Sequence, residues 1–136
     1  MAGNDDPLLR AGAMRATLRA RDGGRVAALW REESDGRRTE IVVPMPDGDY
    51  EPTQWPKAGI YPLVPWSGRI RDARFAFDGA EIAVEPQPGS PHALHGFAHR
   101  LPWRVVGLGA DEAELELAHD PAAAPGAGWQ IGRAHV

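Results

Sequence analysis

Turn residues divide this sequence into short segments, and none of these segments has the periodicity of a helix. The 136 residues include 16 glycines and 13 prolines, residue types that interrupt helices and the central strands of sheets. Between these turn signals lie short runs of alternating apolar and polar residues, which are typical of strands with one buried face. Many short strands joined by turns indicate an all-β protein, an antiparallel β-sandwich or barrel.

The segment Arg74–Val84 shows this pattern most clearly. The pair Asp78-Gly79 stands between two alternating runs, and Asp-Gly is a preferred sequence for a two-residue hairpin turn. The segment therefore predicts a β-hairpin with one face packed inward. We expect the core side of this hairpin to carry its apolar residues at period two, namely Phe75, Phe77, Ile82 and Val84.

Further strands are predicted on both sides of this hairpin, in Met14–Glu32, Thr39–Val43 and Trp103–Ala118. The first of these segments is interrupted by Asp-Gly-Gly at positions 22–24, which supplies the positive φ that a hairpin turn requires. The last is interrupted by Gly-Ala-Asp at positions 109–111, so it predicts a third pair of strands.

The composition excludes several classes of partner. The formal net charge is -4, and no basic stripe is present that would concentrate phosphates or an anionic membrane. We therefore expect neither nucleic acid nor a membrane as partner. The sequence has no cysteine, hence no disulfide and no thiolate. Because Met1–Arg10 lacks the apolar core of a signal peptide, we expect a cytoplasmic protein.

The run Ile60–Asp72 places a conformationally restricted backbone before an arginine. Prolines at positions 62 and 65 restrict φ and stiffen the chain ahead of Arg69. The guanidinium of arginine offers a planar fork of donors, which suits two oxygens on neighbouring carbons of a sugar ring. Spacing alone equally allows a structural role, in which Arg69 forms an ion pair with Asp72 or Asp78.

A second candidate lies in a histidine-rich loop, where His95 stands between Leu94 and Gly96. Loops on rigid scaffolds are common sites of binding residues, and a neutral imidazole both donates and accepts hydrogen bonds. A capping or purely structural role is the alternative. With His92 and His99, this histidine also has the spacing of a metal site, but no cysteine or carboxylate completes a set, so we expect no metal ion.

These two segments resemble the aldose 1-epimerase (galactose mutarotase) family. Its members carry a proline-rich segment that ends in Asn-Arg-Ile, then an aromatic hairpin, then Leu-His-Gly; the resemblance is best between Ile60 and Val106. It implies an antiparallel β-sandwich of the galactose mutarotase-like type, and it implies that Arg69 and His95 bind the sugar substrate. In this chain Gly68 stands where many members have asparagine, so that an amide contact to the sugar is missing or replaced.

The resemblance implies an isomerase that interconverts the α and β anomers of an aldohexose such as glucose or galactose, without a cofactor. In the family, a second histidine at mid-chain acts as the acid and a glutamate near the carboxyl end acts as the base. Neither maps onto this sequence, so we expect both catalytic groups to lie beyond the chain and the chain itself to be inactive. His119, next to Asp120-Pro121, lacks the family pattern and is expected to be a solvated turn residue.

An all-β sandwich often requires ~200–250 residues as one domain. We therefore expect residues 1–129 to be the amino-terminal part of a single, incomplete sandwich. Residues 130–136 are expected to be a non-native tail, because Ile-Gly-Arg-Ala-His-Val looks like the translation of a sequencing adapter.

Three other functions fit the same residues. A non-catalytic sugar-binding module would retain the sandwich without the acid and base. A hexose-6-phosphate 1-epimerase would need further basic residues near the site, and Arg71 or Arg74 could supply them. A small metal-dependent β-barrel would use the histidine loop. Three aromatic residues are candidates for stacking on a sugar ring, although we expect two or three of them in the core: Trp66, Phe97 and Trp103.

Overall fold

The computed structural model describes residues 6–54 and 57–120 together with the backbone of 133–135. In chain order the strands are β1 Leu8–Ala11, β2 Met14–Arg19, β3 Arg25–Glu32, β4 Arg38–Val42, β5 Arg69–Ile70, β6 Arg74–Phe77, β7 Ala80–Ala83, β8 Ala93–Leu94, β9 Arg104–Leu108, β10 Ala113–Ala118 and β11 Arg133–His135. Three single-turn 3-10 helices lie at Ala20–Asp22, Arg71–Ala73 and Ala98–Arg100. In this part of the chain no helix is long and apolar enough to cross a membrane.

The strands pair antiparallel, which confirms the all-β prediction. The largest sheet has the order β1-β2-β3-β4, a meander in which each strand pairs with its neighbours in sequence. A second sheet has the order β11-β10-β9, and two smaller pairs are formed by β5 with β8 and by β6 with β7.

The turn between β2 and β3 packs tightly against the histidine loop. Gly23 and Gly24 both have positive φ, 87° and 66°. A Cβ on Gly23 would lie 2.0 Å from the carbonyl oxygen of His99, and a Cβ on Gly24 would lie 2.8 Å from the ring of Trp103. Only glycine therefore allows this approach, which holds the histidine loop against the first sheet.

In the described part of the chain, three small clusters make up the core. The first lies between the 3-10 turns and the second sheet, the second lies under β3, and the third joins the β6–β7 hairpin to β8. Their buried members are Ala20, Ala98, Trp103, Leu115 and Leu117 in the first, Ala27, Met45 and Ala58 in the second, and Ala73, Val84 and Ala93 in the third.

The predicted strands are present, but one predicted core residue is not in the core. Val84 is buried, and Phe75 and Ile82 pack partly against the third cluster. Phe77, by contrast, is 68% exposed. It is the last residue of β6 before the turn at Asp78 and is not a member of the cluster. The alternating pattern predicted its strand correctly, but the pattern does not show whether another described residue packs against it.

The predicted domain boundary is only partly within the described residues. Residues 121–132 and 136 lie outside them. The three described residues of the predicted tail, Arg133–His135, pair antiparallel with Glu116–Ala118 of β10.

Candidate functional site

Two loops meet at the candidate site, one before β5 and one after β8. The carbonyl oxygen of Val64 accepts hydrogen bonds from the backbone N–H groups of Phe97, at 3.0 Å, and Ala98, at 3.1 Å. The short strands that follow pair Arg69 with Leu94. This pairing places Arg69 beside His95, so the two residues that the sequence singled out are brought together.

A glycine makes this contact between the loops possible. Gly96 has a φ of 66°, and a Cβ at this position would lie 2.1 Å from the carbonyl oxygen of Val64. No side chain fits at that distance, so the Leu-His-Gly sequence has a steric reason for ending in glycine. The loop that carries His95 is thereby fixed against the loop that leads to Arg69.

The imidazole of His95 is oriented by the backbone of Gly68. The N–H of His95 donates to the carbonyl oxygen of Gly68 at 2.9 Å, and the N–H of Gly68 donates to Nδ1 of His95, also at 2.9 Å. Because Nδ1 accepts, the proton of the neutral ring lies on Nε2. Partial burial, and secondly the charge of Arg69, lower the pKa of His95 from its usual value, which favours the neutral ring.

Arg69 lies on the exposed side of this pair. In the described residues it forms no ion pair with Asp72 or Asp78, the two partners that spacing allowed. The carboxylate of Asp72 instead lies 3.9 Å from Arg71 and 3.6 Å from His92. The charge of Arg69 acts instead on His95, whose pKa it helps to lower.

His95 also lines a small pocket that is open to solvent. Arg69 adjoins His95 but is not part of the lining. The lining residues are Arg25, Pro52, Thr53, Gln54, Tyr61, Gln87, Leu94, His95 and His99.

An almost completely buried arginine lies at the floor of this pocket. Arg25 is 1% exposed; its Nε donates to the carbonyl oxygen of Asp22 at 2.8 Å, and its Nη2 donates to the hydroxyl of Tyr50 at 2.6 Å. The guanidinium also lies 4.2 Å from the ring centre of Tyr61 and 4.8 Å from that of Tyr50, within the range of cation–π attraction.

The same network reaches the histidine loop through Tyr50. Its hydroxyl donates to the carbonyl oxygen of His99 at 2.8 Å. The ring of His99 packs against Tyr61 with 5.3 Å between ring centres. Burial, and secondly the charges of Arg100 and Arg25, lower the pKa of His99 to about 4, so this ring is neutral at pH 7.

A sequence profile of the family described as "Aldose 1-epimerase" matches residues 8–131. The chain belongs to the aldose 1-epimerase family. The match includes Arg69, His95 and every described strand from β1 to β10.

Solved structures confirm the fold of this aldose 1-epimerase family member. A putative aldose 1-epimerase from Escherichia coli superposes with a TM-score of 0.68 at 24% identity, over 85% of this chain and 36% of that one. A homologue of GalM/aldose epimerase from Caenorhabditis elegans gives 0.70 at 20% identity, over 86% and 37%. The chain thus spans little more than a third of these structures. No curated protein shows significant sequence similarity to it.

Two of the three aromatic candidates of this epimerase family member, Trp103 and Trp66, take structural positions. In the described residues no group of three histidines or carboxylates could hold a metal ion. Trp103 is 3% exposed and donates from Nε1 to the carbonyl oxygen of Ala98, and Trp66 packs against the third cluster. Among the described residues, Tyr61 is the phenol ring that lines the pocket, and the sequence analysis did not select it.

His119 differs from its prediction as a solvated turn residue. It is only partly exposed, its Nε2 is buried without a hydrogen-bond partner in the described residues, and its ring centre lies 4.6 Å from that of Phe97. It follows β10, whose buried face carries Leu117, so the strand directs it toward the protein. The prediction was based only on the neighbouring Asp120-Pro121 and took no account of the packing of β10.

The sequence analysis also missed Arg25, Tyr50 and His99 as members of one network. Charged residues are rarely buried, so an arginine after a turn is read as exposed. The weak signal was that Arg25 alternates with buried Ala27 along β3.

Proposed function

We propose that the whole protein, of which this chain carries one part, is an aldose 1-epimerase that interconverts the α and β anomers of an aldohexose such as glucose or galactose. The observation that supports this most strongly is the juxtaposition of Arg69 and His95. One side chain offers only donors, and the other is a neutral imidazole with its proton on Nε2. Together they suit the neighbouring oxygens of a pyranose.

Anomer interconversion requires removal of the proton from the anomeric hydroxyl and delivery of a proton to the ring oxygen. The ring then opens, the C1–C2 bond rotates and the ring closes on the other face. A general base and a general acid must therefore flank the sugar. In this proposal Arg69 and His95 position the substrate and stabilise negative charge on its oxygen, and the acid and base come from residues outside this chain.

The alternative on hexose 6-phosphates has less support. The basic residues suggested for the phosphate are already engaged with carboxylates, Arg71 with Asp72 at 3.9 Å and Arg74 with Glu81 at 2.7 Å. A free sugar therefore fits the described residues better than a sugar phosphate does at these positions.

Polarimetry on freshly dissolved α-glucose or α-galactose tests the proposal. We expect no acceleration of mutarotation by the 136-residue chain, and acceleration by the protein from a longer reading frame. Turnover by the chain itself would show that its acid and base lie within it. Saturable sugar binding by the longer protein without acceleration would favour the non-catalytic binding module.

We also propose that residues 130–136 are a non-native tail. The genomic sequence that follows the codon for Trp129 tests this. A reading frame that continues with a different sequence supports the proposal, whereas a stop codon after Val136 refutes it.

A further inference from the structure

Two buried nitrogen atoms at the floor of the pocket have no hydrogen-bond partner in the described residues. They are Nη1 of Arg25 and Nδ1 of His99. Both residues line the pocket next to His95 and pack against the same ring, that of Tyr61. An unpaired buried polar atom is costly, so two such atoms on residues that line one pocket indicate a ligand group that satisfies both.

The two atoms differ in hydrogen-bonding type. The guanidinium of Arg25 can only donate. The ring of His99 is neutral, and a hydrogen bond to the backbone of His95 favours its charged form, which means that the ring donates there. Since Nδ1 has no partner, Nε2 is the nitrogen that donates, and Nδ1 is left as an acceptor.

We propose that Arg25 and His99 form a hydroxyl-binding subsite, in which Arg25 Nη1 donates to a ligand hydroxyl and the same hydroxyl donates to His99 Nδ1. The inference rests on the proposed function, because the hydroxyl is one of those of the bound aldohexose. It names two specificity-determining residues in addition to Arg69 and His95.

The acceptor on His99 selects a hydroxyl over an anionic oxygen. A sulfate oxygen or an ionised carboxylate oxygen accepts from Arg25 but has no proton to donate to Nδ1. Such a ligand would leave the imidazole lone pair unpaired and buried. The positive charges of Arg25 and Arg100 nearby attract anions, so sulfate is the appropriate competitor with which to test this selection.

The test is a binding series on the full 136-residue chain, measured by NMR titration with D-glucose and its monodeoxy and monofluoro analogues. A fluorine at the critical position accepts weakly and cannot donate. We expect one hydroxyl position at which both replacements weaken binding by about tenfold or more, whereas sulfate does not displace the sugar.

The variant His99→Phe keeps an aromatic ring against Tyr61 and removes the acceptor. In this variant the difference in affinity between glucose and the critical deoxy analogue should become smaller, because the hydroxyl has lost its acceptor and keeps only the bond from Arg25. His92→Phe, in the same loop but outside the pocket lining, is the control and should keep the wild-type discrimination. A dispersed NMR spectrum verifies the fold of both variants.

The outcomes separate this subsite from the proposed function. Sugar binding that is equal across all analogues, or that sulfate displaces, would overturn the hydroxyl subsite and leave the assignment of Arg69 and His95 intact. Discrimination that is as large in His99→Phe as in the wild type would also overturn it. A longer protein that binds sugar with the expected discrimination but does not accelerate mutarotation would overturn the enzymatic proposal alone.

Discussion

His95 and Gly68 exchange two hydrogen bonds, one between their backbones and one from the Gly68 N–H to Nδ1 of the imidazole. The second bond fixes the tautomer and directs Nε2–H away from the backbone. The backbone N–H of Gly68, the residue before Arg69, therefore orients the histidine.

The first prediction concerns the charge of Arg69. Because this charge contributes to lowering the pKa of His95, Arg69→Ala should raise that pKa, as measured by NMR titration of the imidazole. Arg71→Ala is the control, since Arg71 is exposed and lies near Asp72 instead. Equal effects of the two variants would show that Arg69 does not adjoin His95.

The second prediction concerns the close approach of the two loops. Gly96→Ala adds both backbone strain and an overlap with the carbonyl oxygen of Val64, whereas Gly89→Ala adds only the strain, because its Cβ would meet nothing within 4 Å. Urea unfolding should show a loss of about 1–2 kcal/mol for Gly89→Ala. Gly96→Ala should cost roughly 2 kcal/mol more; similar losses for both would contradict the contact.

The third prediction concerns the buried guanidinium. Arg25→Lys cannot keep both the bond to Asp22 and the bond to Tyr50 with the same geometry, so it should lower the free energy of unfolding by roughly 2–4 kcal/mol. Arg38→Lys is the matched control at an exposed site over Trp30 and should cost less than about 1 kcal/mol. If both substitutions proved equally mild, Arg25 would not be the centre of the network.

The fourth prediction concerns pH. The pKa of His99 is lowered from 6.5 to about 4, so the unfolded chain binds a proton more readily than the folded one between these values. Stability should therefore fall as the pH decreases from 6.5 toward 4, by an amount on the order of 2–3 kcal/mol from this group.

Urea titrations of the wild type and of His99→Phe isolate this contribution, because the carboxylates that titrate in the same range are common to both. The difference between their unfolding free energies should change between pH 6.5 and 4 and stay constant between pH 7 and 8. A difference that is independent of pH throughout would mean that the ring of His99 is protonated as easily in the folded state.

The strands at local turn signals could be predicted from the sequence, because hairpins such as the one around Asp78 and Gly79 depend on residues that are adjacent in the chain. Strands β5 and β8 could not be predicted from the sequence, because each has only two residues and two residues show no periodicity. Their pairing depends on the fit of Gly96 under Val64, a contact between segments about thirty residues apart.

The candidate site, like the fold, could be predicted only in part from the sequence. Arg69 and His95 could be selected from their motifs, but the network under them depends on long-range burial. Arg25, Tyr50 and Tyr61 come from three separate segments, and no local pattern indicates that two tyrosines enclose an arginine. The exposure of Phe77 was not predictable for a similar reason. An alternating pattern predicts which face of a strand a residue lies on, but it does not predict whether another residue packs against that face.

The central claim is that Arg69 and His95 together hold a sugar. Titration of the histidine-¹⁵N-labelled chain with D-galactose measures this directly through the Nε2 resonance of His95. We predict a saturable shift in the wild type that is lost in Arg69→Ala and retained in Arg71→Ala. An Nε2 resonance that does not change with galactose or glucose, in a chain shown to be folded, would contradict the account.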